Sequence, residues 1–246
     1  MKEEKLYTEG ISIKKGRFLA WADNFWYHYK WPSIVAAFLI IVFIVCMVQT
    51  CSKESVDVTV TYAGPVSLTA EQKHNIKDAL SKNLANSTSD DKSAVNALSY
   101  LIMSKEQILE AEKGVNPDGS KVYIDRAFIA DEQSTFDSLL MTDTTSVLFL
   151  DESIYASLGG YASSERLMPL TDVLGEMPEG AVGNFGVRLG DTEIYQTSPA
   201  LQVLPEDTII CLLNKRLWQK DYEKEIEAFK SFTKASDNIK MENETN

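Results

Sequence analysis

Between Lys30 and Lys53 the chain carries no charge, and residues 34–48 are apolar without exception. As a helix, residues 34–48 cover about 22 Å; adding 31–33 and 49–50 brings the run to about 30 Å, the thickness of a hydrocarbon core. Its eleven Ile, Val, Leu and Phe residues favour insertion by very roughly 3–7 kcal/mol. A buried strand of that length without a turn signal is rare, so a transmembrane helix is expected over 32–50. Phe25, Trp26, Tyr27, Tyr29 and Trp31 crowd its N-terminal edge, where amphipathic rings favour the headgroup layer. Pro32 suits the first turn of such a helix.

Lys2, Lys5, Lys14, Lys15, Arg17 and Lys30 precede the span, and Lys53 alone follows closely. The positive-inside rule then puts the N-terminus in the cytoplasm and the C-terminal domain outside the cell. Two other readings compete. A cleaved signal peptide normally has a short charged leader, yet about 33 residues come first here, and no A-x-A-like site follows. Lipidation at Cys51 would need a Leu-Ala-Gly-Cys-like box, from which Gln49 and Thr50 depart.

Beyond the span the pattern changes to short alternating and helical stretches. Residues 56–62 place Val56, Val58, Val60 and Tyr62 on one face of a strand, stopped by Ala63-Gly64-Pro65. A helix follows, capped by Thr69 with Gln72 and carrying the stripe Ile76, Leu80, Leu84. Residues 86–92 read as a loop. The set Leu98, Leu101, Ile102, Ile108 and Leu109 suits a helix closed by Gly114. A capping box at Ser104 and Gln107 would instead leave 97–103 as a strand. After a turn at 116–119, residues 121–129 read as a strand and 133–141 as a helix. Residues 146–150 form a buried strand, 152–158 a short helix stopped by Gly159-Gly160, and 170–174 one more turn. Residues 183–196 pattern as a hairpin around Gly190-Asp191, and 208–213 as a buried strand. A helix over 217–233 shows Trp218, Tyr222, Ile226 and Phe229 on one face. Strands alternating with helices predict an α/β fold, a mostly parallel sheet flanked by helices. The expected division is a cytoplasmic tail 1–31, the span 32–50, a linker 51–55, an extracytoplasmic domain 56–236 and a polar tail 237–246.

Charge narrows the partners. The tail before the span carries six Lys/Arg and four Asp/Glu, so of the net −12 the remainder carries −14. Such a surface repels phosphate backbones, which argues against nucleic acid. Cys211 lies in an apolar run and Cys51 at the membrane edge, so no disulfide framework is expected. Catalytic signals are thin. His28 sits at the membrane edge and His74 on the polar side of a helix, neither placed as a general base. No zinc spacing, phosphate-binding loop or G-x-S-x-G is present. Gly183, Gly186 and Gly190 lack dinucleotide spacing. No cofactor, metal site or catalytic residue is therefore assigned, and the chain is expected not to be an enzyme. Ligands of open α/β sheets bind beyond the carboxyl ends of strands. Those ends carry Tyr62 and Gly64, then Asp151, Glu152, Ser153 and Tyr155. Helix capping is the competing role of Asp151 and Glu152.

The order of VDVTVTY, VYIDRAF, STFDSLLMTD, SVLFLDESIYASLGGY, LMPLTDVL and TIICLLNKRL resembles the first lobe of bacterial type 2 extracellular solute-binding proteins. Leu167-Met168-Pro169-Leu170 and Leu213-Asn214-Lys215 stand where that family has a G-x-L-x-P-L segment and a strand ending in Tyr-Asn-Lys. Thr145 replaces a strand-opening Asp, residues 87–119 are an insertion, and the second lobe that would close a cleft is missing. The N-terminal NFWYHYKWP followed by a span resembles single-pass proteins of clostridial-type Gram-positive bacteria. The resemblance implies a periplasmic-binding-protein-like lobe held at the cell membrane. Two functions follow: an accessory module docking to a membrane protein such as a transporter, or a receptor for a small polar or cationic solute at Tyr62 and Asp151–Tyr155.

Overall fold

The computed structural model describes residues 17–51, 56–88, 94–142, 145–178, 180–214 and 222–235. The chain divides into two compact units, Met1–Glu54 and Ser55–Asn246. The polar tail, the first five residues of the expected 217–233 helix with Trp218, and most of the linker lie outside the described residues.

In the first unit the described residues form one helix, α1, Arg17–Cys51. Its stretch Phe25–Val48 is long and apolar enough to cross a membrane. Pro32 does not open the helix as expected. It lies well inside it, because the aromatic segment before it is helical too.

The second unit is built on a six-stranded sheet of order β2-β1-β3-β6-β5-β4. Its strands are β1 (Val58–Gly64), β2 (Val95–Leu101), β3 (Val147–Leu150), β4 (Ala181–Val182), β5 (Gly186–Arg188) and β6 (Ile209–Leu212). The helices are α2 (Ala70–Thr88), α3 (Lys105–Ala111), α4 (Arg126–Leu139), α5 (Glu152–Ser157), α6 (Leu170–Leu174), α7 (Glu193–Thr197) and α8 (Tyr222–Phe232). β1 pairs in parallel with β2 and with β3, while β3–β6, β6–β5 and β5–β4 are antiparallel. The sheet is thus mixed rather than mostly parallel. A parallel connection needs a crossover of a dozen or more residues. The 19-residue α2 and 14-residue α4 are long enough to provide one. The five- and six-residue α5, α6 and α7 are not.

Alternation along the strands divides the core. Val58, Val60, Tyr62, Val147, Phe149, Ile210 and Leu212 point to one face, where α2 supplies Ile76, Leu80 and Leu84, and α8 supplies Tyr222, Phe229 and Phe232. Ala63, Leu148, Leu150, Ile209 and Cys211 point to the other, against Phe136 and Leu140 of the α4 region and Ile154 and Tyr155 of α5. Burial pushes the Cys211 thiol up, so it stays a neutral core residue.

Several local expectations hold. Thr69 and Gln72 exchange the bonds of a capping box, at 2.8 and 3.2 Å. Gly159 follows the end of α5 at φ +83. Others do not. Residues 95–101 form a strand rather than a helix, because the capping box of Ser104 and Gln107 starts a new helix just after it. Residues 121–129 are no strand. Asp125 accepts the Ala127 and Phe128 N–H groups at 3.0 Å and opens α4 there, burying Ile129, Phe136 and Leu140 at helical spacing. The hairpin turns at residues 183–185, between β4 and β5. Gly190-Asp191 instead lies in a 3-10 turn before Thr192, which caps α7.

The start of β1 is tied down by Asp57. Its carboxylate accepts the Ala94 N–H at 3.0 Å and Lys224 Nζ at 2.5 Å. Burial opposes its ionisation, but those bonds prevail and hold the carboxyl below its ordinary value. A depressed carboxyl contributes stability above its unfolded pKa of about 3.9, lost as pH falls through the folded value. Asp57→Asn should therefore lower stability by about 1–2 kcal/mol at neutral pH. The gap from wild type should close as denaturant titrations move below pH ~4.

Candidate functional site

The carboxyl ends of β1, β2 and β3 lie side by side, since Gly64 pairs with Leu101 and Ala63 with Leu150. β6 runs against β3, and β5 against β6, so the start of β6 at Ile209 and the end of β5 at Arg188 are level with Leu150. The predicted residues Gly64, Asp151, Glu152 and Ser153 meet at this edge, together with Gln107, Arg188 and Asp207.

Their bonds are largely internal. The Asp151 N–H donates to the Ala63 carbonyl at 2.9 Å, which seats the start of α5 on β1. One oxygen of Asp151 accepts the Ser153 N–H at 2.9 Å, and the other accepts Gln107 Nε2, also at 2.9 Å. Asp151 is thus the N-cap of α5 and a clasp on the first turn of α3. Gly64 uses its carbonyl on the Ile102 N–H at 2.9 Å. Glu152 is exposed, and its Oε1 accepts the Tyr161 hydroxyl at 2.8 Å.

The two tyrosines serve the core. Tyr62 is buried, and its hydroxyl oxygen accepts the Val66 N–H at 3.3 Å. Burial first, then the fields of Asp151 and Asp207, push its phenol up to about 12. Tyr155 is fully buried beneath this edge, with the Gly160 carbonyl 2.9 Å and the Val182 carbonyl 2.5 Å from its hydroxyl. Burial raises its pKa as well. Gly160 and Gly186 leave room for the ring; a Cβ on Gly160 would stand 2.3 Å from Cζ of Tyr155.

Asp151→Ala should remove both the cap and the clasp, lowering stability by about 0.5–2 kcal/mol, whereas Asp151→Asn keeps the capping oxygen but turns its NH2 on the Gln107 donor and should recover only part of that loss. Urea titration of both variants checks this. Equal losses would mean that the carboxylate's hold on Gln107 matters rather than its capping geometry.

A second region was not anticipated as a site. Residues 105–128 comprise α3, a turn and the start of α4. They are held together by the Val115–Lys121 bridge and the Arg126–Glu112 ion pair at 2.7 Å. The stretch lines an open groove of about 660 Å3 formed by Glu112 and residues 121–127. Eight large apolar side chains are exposed among the described residues of the domain, and four of them, Leu109, Val115, Tyr123 and Phe128, fall in this stretch. Tyr123 is 85% exposed. Leu109, grouped in the sequence with Ile108 in one apolar helical set, faces solvent instead; α3 buries only Ile108. The legible signal was the local density of apolar residues among charges of both signs.

Among the described residues no three His, Cys, Asp or Glu side chains gather as a metal-binding group. Compared with protein-family models, curated proteins and solved structures, the chain matches none of them.

Proposed function

We propose that the chain is a single-pass protein of the cell membrane, with its N-terminus in the cytoplasm and its α/β domain outside. There the domain acts as a non-catalytic interaction module. It resembles one lobe of a solute-binding protein and docks to a membrane protein such as a transporter. The observation that carries this reading is that four of the domain's eight exposed large apolar side chains among the described residues, Leu109, Val115, Tyr123 and Phe128, fall within residues 105–128, apolar surface that a docking partner would cover. The strand-end groups are, by contrast, engaged with one another.

The test places a photo-crosslinking side chain at 109, 123 or 128 of the full chain in native membranes, with the exposed Asp172 of α6 as control. The expected result is one adduct of the same mass from all three positions and none from 172. Equal labelling from 172, or no adduct at all, would remove the docking reading.

The alternative is a surface receptor for a small polar or cationic solute at the strand ends. Half-exposed Tyr161 beside the Glu152 carboxylate favours it, offering a ring face and an acceptor together. A solute that raises the unfolding midpoint of the full chain, and fails to do so with Glu152→Ala, would establish that reading instead.

A further inference from the structure

We infer that α1 is two helices in one: residues 17–31 lie along the lipid headgroup layer, and residues 32–50 cross the bilayer. The inference rests on the membrane-anchor reading proposed above. The helix begins at Arg17, fifteen residues before Pro32. That first half differs in kind from the second, whose residues 34–48 are apolar on every side. By the helical repeat, Phe18, Trp21, Ala22, Phe25 and Tyr29 fall at i, i+3, i+4, i+7 and i+11, on one face. Leu19 and Trp26 widen that stripe. Arg17, Asp23, Asn24 and Lys30 fall on the other side. The stacked rings of Phe25 and Tyr29, with centroids 5.3 Å apart, follow the stripe.

Length decides where this half goes. Residues 31–50 already fill about 30 Å of hydrocarbon, so the preceding turns have no room in the bilayer core. Standing upright they would hold Trp21 about 15 Å beyond Trp31, in water, with an apolar stripe uncovered. Lying flat, the stripe sinks into the boundary between headgroups and chains. Pro32 supplies the joint. It has no N–H to give the His28 carbonyl, and its ring disfavours a straight helix at that turn. Charge names the surface. Between Glu9 and Pro32 the only acidic residue is Asp23, against Lys14, Lys15, Arg17 and Lys30. That excess fits a leaflet containing anionic lipids.

The experiment uses the full chain in vesicles of phosphatidylcholine with a minority of phosphatidylglycerol. The lipids are brominated either just below the headgroup or at the chain ends. One variant keeps Trp21 (W26F, W31F, W218F) and the other keeps Trp31 (W21F, W26F, W218F). A flat segment gives both tryptophans strong quenching by the shallow bromines, equal to within roughly two-fold, and weak quenching by the deep ones. Quenching of Trp31 without Trp21 would overturn the inference and leave the anchor standing. No quenching of either would overturn both. On the Trp21 variant, adding Phe18→Ser and Phe25→Ser should abolish the Trp21 signal. If it persists, the stripe does not hold the segment down and the inference fails.

Discussion

Phe149→Ala lowers the unfolding midpoint of the domain by roughly 6–20 °C, a larger loss than Asp57→Asn or Asp151→Ala brings. Phe149 lies on β3, the strand joining the parallel half of the sheet to the antiparallel half. Its side chain is 1% exposed, in the layer shared with α2 and α8, and its ring meets Phe232 edge-on at 6.5 Å. Truncation removes the ring from between a sheet and two helices that cannot all close on the gap. Such cavities cost about 3–5 kcal/mol, and a domain of this size loses about 2–4 °C per kcal/mol. Thermal unfolding followed by circular dichroism measures the change. Phe149→Leu, which fills most of the volume, should recover more than half of it. A truncation that costs less than about 1 kcal/mol would mean that α8 does not pack on β3 in solution.

Ile40→Asp combined with Ile41→Asp moves the full chain from the membrane fraction to the alkaline-soluble fraction. The apolar run favours insertion by very roughly 3–7 kcal/mol, and each central Asp opposes it by about 2.5–3.5 kcal/mol. Two of them, with the loss of two Ile contributions, bring the balance to zero or past it. Ile40→Leu with Ile41→Leu keeps the balance and should stay in the membrane. The mass of the wild-type chain recovered from membranes bears on a separate point. A retained N-terminus supports a permanent anchor, and loss of the first 50 or so residues would mean a cleaved signal. Retention of the double-Asp chain in the membrane would shift the source of membrane association to another part of the molecule.

Periodicity located the buried strands and the longer helices because one choice of period explained them. The strand β1 and the stripe of α2 are of this kind. Residues 95–101 were harder. VNALSYL does not alternate cleanly, and as an edge strand β2 buries only Val95 fully. Neither period wins in such a stretch, and the deciding feature was the capping box that followed. Residues 121–129 show the opposite failure. VYIDRAFI alternates well enough for a strand, but a single cap at Asp125 redirects the chain, and the burial gained at Ile129, Phe136 and Leu140 is visible only over a longer window. Strand direction was not legible, since alternation is the same both ways; helix length was the usable clue. At the strand ends the sequence found residues that meet. It could not find Gln107 on Asp151 or Tyr161 on Glu152, because those partners come from other elements.

β1 is the first strand of the domain in chain order and lies inside the sheet, paired on both sides, between β2 and β3. Its partners arrive late: Val58 waits for Val95, and Val60 waits for Val147, 87 residues on. The layer beside it is completed only by Phe229 and Phe232. A topology of this kind incurs loop-closure entropy before most contacts form, which slows folding relative to local helical folds. While the chain emerges, VTVTY is an apolar strand with both edges open. Chains held side by side at one surface would meet at those open edges, so the interval before α8 docks is when self-association competes with folding. A chain ending before Tyr222 would never leave that interval, and proteolysis of the nascent domain should map to β1 and β3 rather than to the surface loops.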